Sequence, residues 1–222
     1  WWASYPQEQT AINYLPAVLS NFYGLLGRGM NIGVSRVSNL VQYAAQVRGV
    51  TAIVSYAANG ETRPAGANTD GKLWGVTVQG QWGAVGAGYD WVKNWGNTGT
   101  GIAGTQPAST GHKRRAGWAY QPGAQLAVIW SKVEQDNGGF AAITAAGAGL
   151  PLALGLALTP DATATRLSQT SWGLNWEHTF GNMQALAQWA KVNNITGCNA
   201  AGACNNTGAT TWMAGLRYNV SK

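Results

Sequence analysis

The stretch KLWGVTVQGQWGAVGAGYDWVKNW (72–95) constrains the fold more than any other part of the sequence. It alternates between apolar residues and polar or small residues, breaks at Gly83-Ala84, and then alternates again. Its apolar positions are Trp74, Val76, Val78, Gly80 and Trp82 before the break, and Val85, Ala87, Tyr89 and Trp91 after it. Period two over about ten residues, a tight turn and a second such run predict an antiparallel β-hairpin.

The apolar side of this hairpin carries tryptophan near both ends, at Trp74, Trp82 and Trp91. A strand that crosses a bilayer needs about 9–11 residues, with apolar side chains toward lipid and aromatic residues at each interface. The hairpin is therefore typical of a transmembrane β-barrel.

The rest of the chain predicts further strands with connections that alternate in length. Nine strands are expected at about 35–46, 50–58, 72–82, 85–95, 113–121, 124–134, 168–180, 183–192 and 210–220. Short connections fall at 47–49, 83–84, 122–123 and 181–182, and long ones at about 59–71, 96–112, 135–167 and 193–209. Short turns at one end and long loops at the other predict an all-β fold, a transmembrane antiparallel up-and-down β-barrel.

The aromatic residues sort into two groups that share the apolar parity of their strands. One group, Trp82, Tyr120, Phe180 and Tyr218, lies near the short turns. The other, Trp74, Trp91, Trp95, Trp130, Trp172, Trp189 and Trp212, lies toward the long connections. Two such groups predict an aromatic girdle at each membrane interface.

Composition agrees with a sheet that is wet on one face and apolar on the other. Charged residues make up only 10% of the chain, well below the usual quarter, while 45% is hydrophobic. The formal net charge is +6. Because the basic residues are scattered and no binding motif occurs, nucleic acid is not an expected partner. A channel lining that favours anions is the better interpretation, and no cofactor is expected.

Two stretches do not alternate. Residues 5–33 fit a short helix interrupted at Pro16, and they would either fold inward onto a barrel lumen or form an external flap. Residues 140–160 have the length of a transmembrane helix, but four residues interrupt them, so a long external loop is favoured. The interruptions are Gly147, Gly149, Pro151 and Gly155.

Two segments carry a family resemblance. SRVSNLVQYAAQVRGVTAIVSYAANGE (35–61) resembles the strand pair that follows the constriction loop in Gram-negative outer-membrane porins of the beta-proteobacterial type, and TTWMAGLRYNVSK (210–222) resembles their late strands. The resemblance implies a homotrimer of sixteen-stranded barrels in the bacterial outer membrane, in contact with its lipid, that passes small hydrophilic solutes. The chain, 1–222, would then be a porin β-barrel domain incomplete at both ends. Residues 5–33 would be the inward constriction loop, and 34–222 about nine strands.

The same template and the strand parities give a set of candidate pore-lining residues. The basic members are Arg28, Arg36, Lys113, Arg115 and Arg217, and the acidic members are Glu8, Asp90 and Glu177. Basic side chains facing loop carboxylates would set a transverse field that selects ions by charge. The alternative is that these are solvated charges without a special role.

The cysteines and histidines bear on other classes of function. Cys198 and Cys204 are separated by five residues, which suits a disulfide in a small loop and offers too few ligands for a metal. His178 has lipid-facing parity near a short turn, and His112 is expected in a loop without a partner. We therefore predict no enzyme. An outer-membrane barrel enzyme (a protease or a lipid-modifying enzyme) and a soluble all-β binding protein remain the alternatives.

Overall fold

The computed structural model describes residues 40–58, 72–95, 108–136, 166–199, 201, 204–206 and 208–218. They form one sheet of nine strands in which each strand pairs antiparallel with the next along the chain. The strands are β1 (Leu40–Val47), β2 (Val50–Ala58), β3 (Lys72–Trp82), β4 (Val85–Trp95), β5 (Ala108–Gln121), β6 (Ala124–Asp136), β7 (Arg166–Phe180), β8 (Met183–Val192) and β9 (Ala209–Tyr218). The predicted all-β, up-and-down arrangement of nine strands is confirmed.

The four short turns fall where the sequence predicts them. Arg48 and Gly49 both have positive φ, 48° and 79°, as a two-residue turn of type I′ requires. Gly83 and Gly181 each have a φ of 58° at the first central position, which glycine adopts without strain. The short-turn end of the sheet is thus set by local sequence.

The strand boundaries differ from expectation mainly at β5. This strand begins at Ala108 rather than near residue 113, so the predicted long connection is shorter. The first residues of β5 do not alternate between polar and apolar side chains. Only their pairing with β4 shows that they form a strand. A register shift between Trp118 and Gln121 marks a bulge against β6. The bulge follows Arg115, so it does not change the face on which Arg115 lies.

The sheet has a polar face, on which several side chains are buried, and an apolar face, on which large side chains are exposed. We call this arrangement inverted burial, because soluble proteins usually bury the apolar face. Thr77, Asp90, Lys113, Ser131 and Ser171 lie side by side in one cross-strand row of the polar face. Several polar-face side chains are buried, Thr77 and Asp90 to 1% exposure. All ten tryptophan positions of the described strands lie on the apolar face. Among them Trp74 is 42% and Trp212 75% exposed. The predicted aromatic set therefore shares one face.

Small apolar clusters lie at the end of the polar face that carries the long connections. One consists of Ala57, Leu73 and Val92. In the other, Leu167 packs against Ile195, with Cys198 and Cys204 beside them. The predicted loop after β8 is therefore partly attached to the sheet.

Backbone hydrogen bonds attach this segment to β7, and a disulfide closes the segment on itself. Ser168 and Thr196 exchange two backbone hydrogen bonds of 2.8 and 2.9 Å. Cys198 and Cys204 are joined by a disulfide with a Cα–Cα distance of 5.8 Å.

Several predictions fall outside the described residues. These are the loop at 5–33, the apolar stretch at 140–160, and the candidate residues Glu8, Arg28 and Arg36. Within the described ranges, no helix has the length and apolarity needed to cross a membrane.

We expect the disulfide to be present in the purified protein. Alkylation under denaturing conditions should add no mass before reduction and two alkyl groups after it, because Cys198 and Cys204 are the only cysteines. Intact-mass spectrometry measures this directly. Two alkyl groups gained without reduction would contradict the disulfide.

Candidate functional site

Asp90 is the centre of a hydrogen-bonded and ionic network on the polar face. Thr77 on β3 donates a hydrogen bond of 2.7 Å from Oγ1 to Asp90 Oδ1. Asp90 Oδ2 lies 3.4 Å from Nη1 of Arg115 on β5. A buried carboxylate is tolerated when hydrogen bonds and an opposite charge offset its lost hydration, and Asp90 has both.

Arg115 reaches across β4 to make a second contact. Its Nη2 donates a hydrogen bond of 2.8 Å to Oε1 of Gln79, which is on β3. The path runs directly over Gly88, where an added Cβ would lie 2.5 Å from Arg115 Nε. Gly88 thus leaves the room that lets the guanidinium lie flat against the sheet between Gln79 and Asp90.

Lys113 lies next to Asp90 in the cross-strand register and is 3% exposed. Lys113, Asp90 and Arg115 thus come together on neighbouring strands, as the sequence predicts for residues of one parity. The local balance is two basic groups to one acidic group. Asp90 contacts Thr77 and Arg115, and Lys113 lies beside this group on β5.

A cavity of about 530 Å3 lies between this network and the short turns. Arg115 and the glutamines Gln46, Gln79, Gln81 and Gln125 line it, together with small residues and the apolar Trp118 and Ile129. Amide side chains donate and accept hydrogen bonds, so they can replace water around a small polar solute without adding charge. The surface is polar, wettable and weakly cationic.

Glu177 and Arg217 share the polar face but lie apart from the Asp90 network. Glu177 on β7 borders a second cavity of about 320 Å3, with Gln125. Gln184 on β8 donates a weak hydrogen bond of 3.5 Å to Glu177 Oε2. Arg217 on β9 pairs in register with Gln184 and is exposed. The candidate residues therefore extend across the polar face rather than meet at one point.

Sequence reasoning missed three members of the network: Thr77, Gln79 and Gly88. The alternation places all three on the polar parity, which was the available signal. Their contacts depend on the register of β3, β4 and β5, which a single sequence does not specify.

The prediction for His112 is wrong. It lies in β5 on the apolar face, and its Nδ1 is 2.8 Å from the Tyr89 hydroxyl. The earlier start of β5 explains the error. Tyr89 and His112 occupy neighbouring strands, so each covers the polar atom of the other on an otherwise apolar surface.

His178 also lies on the apolar face, near the turn at 181–182 as its parity predicts. Its Nδ1 is 2.8 Å from the Tyr120 hydroxyl, which accepts a 2.8 Å hydrogen bond from Trp176 Nε1. Its ring stacks on Phe180 at 4.1 Å. In the part of the chain that the structure describes, no group of three His, Cys, Asp or Glu residues could hold a metal ion.

Comparison with known proteins adds no assignment: no protein-family model matches this chain, and no curated protein is significantly similar to it.

We expect Gly88→Ala to displace Arg115 while leaving the sheet intact. The added methyl group would collide with the end of a flexible side chain, which can move, so the change in stability should stay below about 1 kcal/mol. The hydrogen bond of 2.8 Å from Arg115 to Gln79 should be lost, and the guanidinium should move away from residue 88.

Gly86→Ala is the matched control, since it is on the same strand and face and its added Cβ would meet nothing closer than 3.8 Å. Thermal unfolding and a structure of each variant give the two measurements. An Arg115 side chain that keeps its position in Gly88→Ala would show that this position does not depend on Gly88.

Proposed function

We propose that this sheet is part of a transmembrane β-barrel of the bacterial outer membrane that acts as a passive diffusion channel for small hydrophilic solutes and ions. The observation that carries the proposal is the inverted burial of the two faces. Buried positions include Ser55, Thr77 and Gln188, whereas Trp74, Val128 and Leu174 are exposed. A single sheet with this polarity fits water on its polar face and lipid on its apolar face.

The exposed apolar residues form a continuous surface rather than isolated positions. Val128, Leu174, Trp189 and Trp212 succeed one another in register across β6, β7, β8 and β9. Soluble monomers rarely expose contiguous apolar patches beyond a few hundred Å2. Lipid would cover this face without a second protein layer, which favours the membrane proposal over a soluble binding protein.

Closure of the barrel follows from the cost of free strand edges in lipid. Among the described residues, β1 and β9 each pair on one side only. Unpaired backbone groups cost several kcal/mol each in hydrocarbon, so the proposed membrane setting requires a hydrogen-bonding partner for each of these two edges. The porin resemblance supplies the number, sixteen strands, and the homotrimer as the proposed assembly.

The polar face supplies the proposed lining of the channel. Its described ionisable residues are three basic ones, Lys113, Arg115 and Arg217, and two acidic ones, Asp90 and Glu177. This balance supports a modest preference for anions, and it arises from side chains fixed to strands rather than from a dedicated binding site. The proposed roles of Arg28, Arg36 and Glu8 in a constriction would add to the same balance.

Conductance of the intact protein in a planar bilayer tests this proposal. We expect passive, ohmic channels, with a reversal potential in a potassium chloride gradient that indicates anion preference and diminishes at high salt. Absence of channels from folded, inserted protein would contradict the proposal. Cation preference would contradict the assignment of the lining.

Asp90→Asn should strengthen the anion preference. The substitution keeps an oxygen that can accept from Thr77 and removes the negative charge beside Arg115. Over about 8 Å in water, removing one unit charge changes the energies of an anion and of a cation by ~0.5 kcal/mol each, in opposite directions. We therefore expect roughly a fivefold rise in the anion-to-cation permeability ratio.

Glu134→Gln is the control for this measurement, because Glu134 lies on the apolar face, 2.8 Å from Lys132. It should leave the permeability ratio unchanged. A shift in the control as large as that in Asp90→Asn would mean that the two faces are not separated as proposed.

A further inference from the structure

The apolar face has a repeated tryptophan–lysine pattern at one end of the sheet. On each of the strands β3, β4, β6 and β8, a lysine lies two residues from a tryptophan, on the side of the long connection. The pairs are Trp74 with Lys72, Trp91 with Lys93, Trp130 with Lys132, and Trp189 with Lys191. Residues two apart on a strand share a face, so each lysine continues the apolar face just beyond its tryptophan. We call Lys72, Lys93, Lys132 and Lys191 the lysine row.

Two arginines add to the positive charge at this end. Arg114 on β5 lies over the Trp130 ring, with its Cζ 5.0 Å from the ring centroid. Arg166 is the first residue of β7 and is exposed. The acidic positions on the same face and end of the described strands are Glu134 and Asp136, against six basic ones. The end is therefore strongly basic.

The opposite end has much less such charge, because its described short turns contain one basic residue, Arg48. Among the described strand residues nearest the short turns, the apolar face presents Val47, Val50, Trp82, Val85, Tyr120, Phe180, Met183 and Tyr218, without a lysine or arginine. If these long basic side chains served only to reach water, we would expect them equally at both ends of a sheet that crosses a membrane. The restriction to one end points to a negatively charged layer there.

We propose that the lysine row binds the phosphate groups of anionic lipids in the leaflet that faces the long connections. The inference rests on the proposed membrane function and specifies the lipid that this face takes. Lysine ammonium groups are strong donors to phosphate oxygens, and the tryptophans below them fit the level where headgroups meet acyl chains. Lys72 and Lys191 are exposed, so their ammonium groups are open to such headgroups.

Lipid preference at the protein surface gives the test. The intact protein is reconstituted in phosphatidylcholine vesicles, and spin-labelled phosphatidylglycerol and phosphatidylcholine are compared for association with it by electron spin resonance. We expect the anionic label to be preferred at low salt, with the preference falling as salt rises. The salt series needs no variant, so it gives a result even if a variant fails to fold.

The triple variant Lys93→Gln/Lys132→Gln/Lys191→Gln should lose most of this preference, by roughly fivefold for each lysine that contacts a headgroup. Arg217→Gln is the matched control, since it removes a basic residue from the polar face. It should keep the wild-type preference.

Equal association of the two labels with wild-type protein, or an unchanged preference in the triple variant, would overturn the inference. Conductance measured in the same vesicles separates the two proposals. Channels without lipid preference would leave the diffusion function standing and refute the lysine row. Protein that inserts into none of the vesicles would refute both.

Discussion

The continuous antiparallel ladder is the constraint on which the rest of the structure depends. Eight successive strand pairs satisfy the backbone groups of the seven inner strands, β2 to β8, within a single layer, so these strands need no second layer for hydrogen bonding. Side chains alone then decide what each face contacts. Because polar residues occupy the buried face and tryptophans the exposed one, the usual arrangement of a soluble sheet is reversed.

The charged side chains of the buried polar face are stabilised because the strand register places partners beside them. Asp90 is stabilised by Thr77 and Arg115 from the strands on either side, and Arg115 is held by Gln79 one strand further. Each contact spans one or two strand pairs, so the network also favours the observed register. The same side chains would present a fixed, weakly cationic surface to passing solutes. Stability of the sheet and selectivity of the proposed channel therefore share residues.

Alternation and turn residues predicted the strand order, the four tight turns and the face of every candidate residue in the described strands. They did not predict the start of β5, where Gly111 and His112 break the contrast between faces. They also did not predict contacts across two strand pairs, such as that of Arg115 with Gln79 over Gly88. The parity of a residue in its strand predicts the face of the sheet on which it lies. Predicting its contacts also requires the register of three strands and the conformation of the side chain.

The most direct test of the central claim is to measure whether each face of one strand is in contact with lipid or with water. Single cysteines at residues 184–188 of β8, each carrying an environment-sensitive fluorophore, can be exposed to quenchers in the lipid and in water in reconstituted protein. The account predicts a period of two: lipid quenchers reach Ala185 and Ala187, and aqueous quenchers reach Gln184, Leu186 and Gln188. Quenching by water-soluble reagents at all five positions, or without alternation, would contradict it.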